Sequence, residues 1–180
     1  MKQAKVKRVA LVTGASRGLG RAIAVKLGAS GMDVAVNYLN GSSGAEEACA
    51  EIRGYGSRAI AIKADVRSES EVDSLVRQAK EALGEIDVLV VNATGPQPML
   101  PIEEQSWQSY LDQLEFFVKS PLLLVQQVLG GMRERKFGRI VQIGSEVVEL
   151  GNPRFATMWL PKEHSLVKLV RGPWNWLIQA

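Results

Sequence analysis

Val9-Ala10-Leu11-Val12-Thr13-Gly14-Ala15-Ser16-Arg17-Gly18-Leu19-Gly20 is the stretch that decides how this chain folds. A short apolar run with valine at both ends reads as a buried strand. It enters a turn holding Gly14, Gly18 and Gly20, and a segment of helical period follows over about 17–30. Strand, glycine turn and helix together can receive a phosphate. Amides at a helix N-terminus supply donors, and glycines keep side chains out of the way. A glycine turn can also serve only the packing of helix on strand, so the sequence around it has to choose.

Outward from this turn the same alternation repeats. Short β-branched runs at 9–12, 34–36, 59–62, 88–91 and 140–143 are separated by amphipathic stretches at about 17–30, 43–53, 69–83 and 103–135. Five buried strands alternating with helices predict an α/β, doubly wound parallel sheet covered on both faces. The last stretch carries Leu111, Leu114, Val118, Leu122, Val125, Leu129 and Met132 at steps of three or four. That stripe reads as core packing, part of which could also meet a partner subunit.

Composition narrows the function classes. The chain has 180 residues, 46% hydrophobic and 23% charged, as expected of one soluble domain. No uncharged apolar run approaches the ~18 residues a membrane span requires. The basic start MKQAKVKRVALVTG passes directly into the glycine turn, without the cleavage site of a secretory signal, so the expected location is cytoplasmic. Cys49 is the sole cysteine, and no Cys/His cluster has zinc spacing, so neither a disulfide nor a metal is expected. The net charge of +3 is scattered rather than striped. This argues against nucleic acid and fits an anionic small molecule.

The second strand bears on which dinucleotide would sit in the turn. NAD sites place an acid at the end of that strand for the ribose hydroxyls, where it would repel a 2′-phosphate. Here the strand ends Val36-Asn37-Tyr38, and no acid follows until Glu46. Arg17 in the turn is a charged donor for a phosphate, or else a solvated surface charge. NADP is therefore expected over NAD, with Gly14, Ser16, Arg17, Gly18, Leu19, Gly20 and Asn37 as cofactor contacts.

TGASRGLG at 13–20, ADV at 64–66 and VNATG at 91–95 resemble the short-chain dehydrogenase/reductase family, most closely its 3-oxoacyl-carrier-protein reductase-like branch. The resemblance covers about 1–157. It implies a Rossmann-type domain that moves a hydride between NADP and a small-molecule carbonyl or alcohol substrate, in a family often built as homo-oligomers. It places Asp65 and Val66 beside the adenine, and Asn92 and Ala93 beside the cofactor at the end of the fourth strand. Asp65 also reads as a helix cap ahead of Glu69. Val91 and Thr94 depart from the usual Asn-Asn-Ala-Gly. The family's chemistry pairs a tyrosine acid/base with a lysine four residues on, a serine facing the substrate oxygen and an asparagine holding a relay water. On that match Ser145 is the serine.

Two members of that set are not where the family has them. Family spacing puts the asparagine at Phe117, and 96–150 contains no Asn. Pro121 has no amide to donate to the Phe117 carbonyl, which is expected to hold a water instead. The tyrosine position is Met158, although Lys162 stands where the lysine belongs. Pro161 would interrupt the expected helix. Met and Trp have single codons, so the bases at 158–159 are known. Slipping the frame back one base there permits Tyr at 158 and forces Val at 159. It then permits Ala-Ala-Lys at 160–162 and Gly-Ala-Leu-Leu-Gly at 163–167, which looks like the family's active-site helix. The expected organisation is thus a dinucleotide-binding domain over 1–157 and an aberrant tail over 158–180, with Lys162 matching by coincidence of codons. The tail carries three of the four tryptophans and the only histidine.

The family continues beyond this point with further helices and strands. Without them the fifth strand is expected to be an open edge, one sheet face is short of cover, and the product is marginally stable and prone to aggregate. Four readings follow. They are an NADP-dependent oxidoreductase, a dinucleotide-binding fragment without catalysis, a damaged product with no function, and another Rossmann enzyme such as a sugar-nucleotide epimerase, which would share the gap at Met158.

Overall fold

The computed structural model describes residues 7–97, 99–144 and 177–179. Ser145, Met158 and Lys162 lie outside them. The expected strands are present as Val9–Val12 (β1), Asp33–Tyr38 (β2), Ala59–Lys63 (β3), Ile86–Val91 (β4) and Arg139–Gln142 (β5). All pair in parallel, and Leu177–Gln179 (β6) adds a further strand, so the order is β3-β2-β1-β4-β5-β6. The chain winds outward from β1 in one direction through β2 and β3, and in the other through β4 and β5. The switch lies between β1 and β4, where open α/β sheets bind their ligands. This is a Rossmann-type fold.

Burial on both faces explains why these runs are strands. β1 has no exposed residue, and Leu11, Val34, Val36 and Leu89 have no accessible surface. Helices Gly18–Ala29 (α1) and Ser42–Gly54 (α2) cover one face with small residues, Ala24, Ala45, Ala48 and Cys49, plus Ile52. Glu69–Leu83 (α3) and Ser120–Glu134 (α5) cover the other with Val72, Leu75, Val76, Leu124, Val128 and Met132. Asp33 at the start of β2 is buried. It accepts from Arg58 N at 2.7 Å and from Arg58 Nε at 2.8 Å. Arg58 also donates to the carbonyls of Ala82 and Leu83 at the end of α3, which ties the β3 edge to that helix.

Three expectations are corrected. The edge of β5 is not open: β6 pairs with it over Ile140, Val141 and Gln142. The stretch expected as one helix over 103–135 is divided into a 3₁₀ turn at Ile102–Glu104, Trp107–Leu114 (α4), a π turn at Glu115–Lys119, and α5. The π turn has a physical cause in Pro121, which cannot donate to Phe117, so one turn widens. Nor does the Phe117 carbonyl wait for a water. Gln142 on β5 donates its Nε2 to it at 3.3 Å in a buried bond.

Among the described residues no helix is long and apolar enough to cross a membrane.

Candidate functional site

Thr13, at the end of β1, is the hub of the glycine turn. It is fully buried, and its hydroxyl donates to Val90 O while accepting from the amides of Asn92 and Ala93 at 2.9 and 3.0 Å. Asn92 returns the contact with Nδ2, which donates to Thr13 O at 2.9 Å and Gly14 O at 3.3 Å. The ends of β1 and β4 are thereby locked together at the switch point. Asn92 and Ala93 were expected here. Thr13 was not singled out, although a polar residue directly between a buried strand and a glycine is a signal that could have marked it.

Two of the glycines in the turn shape the site directly. A Cβ on Gly20 would collide with Gly14 O and lie 2.5 Å from Asn92 Nδ2, so only glycine lets α1 approach this closely. Gly18 has a φ of +55° and nothing within 4 Å of the place a Cβ would occupy, so it borders open space. The α1 N-terminus is bare as well. Arg17 stands at its N-cap without a side-chain bond to the helix, and the first turn has no acid. Arg17 and Leu19 are exposed beside it, Leu19 by 57%. A helix start without a side-chain cap, with an exposed cation beside it, has the chemistry to receive an anionic group.

Asn37 has a different place from the one expected. It is 1% exposed; its Oδ1 accepts from Gly14 N at 3.2 Å, and its Nδ2 donates to the carbonyls of Ile62 and Ala64. It holds the turn from behind and presents nothing to a ligand. Ser16 donates to Asn40 O in the loop after β2, drawing that loop and the N-terminus of α2 toward Arg17. This second helix start also lacks a side-chain cap and an acid in its first turn. Glu46, the first acid after β2, pairs with Arg53 further along α2.

At the end of β3, Val66 is buried and Asp65 is committed. Asp65 accepts from Arg67 N, and its carboxylate grips the Arg67 guanidinium in a fork of 2.7–3.2 Å. The hydrogen bonds from Arg67 hold the Asp65 carboxyl below the usual carboxylate range. Ser68, not Asp65, is the N-cap of α3, and its side chain makes no capping bond. The neighbourhood of Ser145 is approached but not reached. Ile143 N still pairs with Val91 O, and Gly144 is exposed beyond it. The three tyrosines do not replace the missing one. Tyr38 ends β2 opposite Lys63, Tyr55 follows α2, and Tyr110 stacks on Trp107 in α4. Among the described residues no cluster suits a metal ion.

A family model described as short chain dehydrogenase matches residues 8–157. The chain belongs to this family. Within the short-chain dehydrogenases it is 40% identical over 148 residues to a 3-oxoacyl-[acyl-carrier-protein] reductase of Synechocystis, covering 81% of this chain and 59% of that one. It is 36% identical over 151 residues to the reductase FabG of Staphylococcus aureus, with 83% and 60% covered. A solved structure from Sinorhizobium meliloti, described as a short-chain alcohol dehydrogenase, superposes with a TM-score of 0.82 at 33% identity, over 91% of this chain and 64% of that one. NAD+-bound xylitol dehydrogenase superposes with a TM-score of 0.83 at 28% identity, over 92% and 64%. The chain thus spans about three-fifths of the length of the relatives it matches.

Proposed function

We propose that this chain binds NADPH in preference to NADH across the carboxyl ends of β1 and β4, and that its lineage reduces a small-molecule carbonyl of the 3-oxoacyl type. The observation carrying this reading is the bare α1 N-terminus, with Gly18 open beside Arg17. The residues fit the group. The first amides of α1 would take the pyrophosphate. Arg17 and the acid-free start of α2 favour a further phosphate on the adenosine ribose. Thr13 and Asn92 keep the β4 end rigid against it. The cofactor supplies the hydride.

Ser145 follows Gly144 past the end of β5, and its role is to donate a hydrogen bond to the substrate oxygen. Lys162 is a cation four residues after the position where the family has its tyrosine. That position is Met158, which has no proton to give. A positioned general acid contributes typically ~10² to 10⁴ in rate, so turnover of this chain falls by that order relative to its relatives. A second reading, a dinucleotide-binding chain without turnover, is favoured by Met158 alone.

Fluorescence titration with NADPH and NADH tests the binding. Saturation with NADPH at lower concentration than NADH is expected; equal or absent binding would overturn the reading. Oxidation of NADPH on adding a 3-oxoacyl thioester then separates the slow enzyme from the silent binder.

A further inference from the structure

The asparagines of the chain are Asn37, Asn40, Asn92, Asn152 and Asn175, and only Asn40 precedes a glycine. Asn40 and Gly41 are both exposed, in the loop between β2 and α2. Gly41 is the N-cap of α2, in the left-handed region at a φ of +83°. Among the described residues, the Asn40 side-chain amide makes no hydrogen bond, and the Gly41 N–H donates none. A backbone nitrogen that carries no neighbouring side chain and no bond to hold it is the nucleophile that attacks an asparagine amide. Loss of its proton is eased at the positive end of a helix, and α2 has neither a side-chain cap nor an acid in its first turn.

The same loop is fastened to the glycine turn. Ser16 donates its Oγ to Asn40 O at 3.2 Å, and a Cβ on Gly44 would collide with Ser16 O. The loop therefore lies against the residue directly before Arg17, just past Tyr38 at the end of β2. An acid in this region is what turns a dinucleotide site against a 2′-phosphate.

We propose that Asn40 is a site of spontaneous deamidation, and that its conversion turns the chain from NADPH toward NADH. The Gly41 nitrogen gives up its proton and bonds to Asn40 Cγ. The side-chain nitrogen leaves as ammonia, and a succinimide remains. Solvent water then opens the ring at either carbonyl, giving aspartate or isoaspartate; nothing is oxidised or reduced. Either product adds a carboxylate to the loop that borders Arg17, where it repels a phosphate and competes with it for the cation. The effect on NADPH rests on the reading that Arg17 meets the 2′-phosphate, whereas the conversion itself does not.

The parent and Asn40→Ser are aged in mildly alkaline buffer, and the tryptic peptide spanning 27–53 is weighed and fragmented at intervals. The parent's peptide is expected to gain the mass of an amide-to-acid exchange at position 40, ahead of Asn37 in the same peptide. Fluorescence titration then compares fresh parent, aged parent, aged Asn40→Ser and fresh Asn40→Asp with NADPH and NADH. Aged parent and Asn40→Asp are expected to bind NADPH about 3- to 30-fold more weakly than fresh parent, with NADH unaffected. Raised salt should narrow that difference, and aged Asn40→Ser should keep the preference of the fresh chain. Conversion at 40 no faster than at Asn37 would overturn the modification site. An unchanged ratio of NADPH to NADH affinity in aged parent and Asn40→Asp would overturn its link to the cofactor. A fresh parent without preference for NADPH is a separate result, which removes the reading of Arg17 and leaves the mass gain standing.

Discussion

Thr13 shows how one hydroxyl can set a binding site without touching a ligand. Its oxygen accepts from two consecutive amides at the end of β4 and donates to Val90 on the same strand, all inside the protein. Thr13→Val keeps the shape and removes every one of these bonds, leaving the amides of Asn92 and Ala93 unanswered. Urea unfolding should show a loss of about 2 kcal/mol, and a loss under 0.5 kcal/mol would mean the turn is held elsewhere. Asp65 makes a prediction in pH rather than in magnitude. Arg67 lowers its pKa in the folded chain, so the pair stabilises above the unfolded value of about 3.9 and is lost as pH falls through the lower folded value. The stability gap between the parent and Asp65→Asn should therefore be full at pH 6 and close as the medium is taken well below pH 4. A gap constant over that range would show that the fork carries no ionic stabilisation.

At the scale of elements, the helical segment over 107–134 is the most instructive. Its apolar stripe runs through Leu111, Leu114, Val118 and Leu122 without a break in spacing, so periodicity could not reveal the π turn at Glu115–Lys119. Pro121 was the legible sign, since a missing donor four residues on must leave a carbonyl to be satisfied. What satisfied it was not legible. Gln142 is close to Phe117 only after β5 has docked against the helix, 25 residues later in sequence. Gln142→Leu removes that buried bond and should destabilise the chain by about 1–2 kcal/mol, with faster hydrogen exchange confined to residues near the π turn. Uniform exchange across the molecule would argue that the bond does not hold this element in particular. The strands were legible for the opposite reason. β1, β2 and β4 are almost wholly buried, so each is a continuous apolar run that stands out from its neighbours without tertiary knowledge. The glycine turn was legible because its chemistry is local. Asn37 was misplaced because an exposed and a buried asparagine look the same in sequence.

Among the described residues the sheet is unevenly covered. On the α3 and α5 side the β5 residues Ile140 and Gln142 are buried, whereas Val141 and Ile143, facing the α1 and α2 side, are only half-buried. The helices α1 and α2 pack chiefly over β1, β2 and β3, and Val141 and Ile143 lie at the margin of the cluster they build. β6 closes the hydrogen-bonding edge for three residues, but an added strand does not shield a face. Association of this chain should therefore begin at the half-covered face, where burying apolar surface against another copy is worth ~25 cal/mol per Å². Replacing Val141 and Ile143 together by threonine keeps branched side chains suited to a strand and makes that face polar. Light scattering during concentration should show the double variant remaining monodisperse at concentrations where the parent aggregates. Its unfolding free energy in urea should fall by no more than about 1 kcal/mol, because neither residue is fully buried. Equal scattering from the two chains would place the association surface elsewhere, and the β5–β6 edge would be the next region to change.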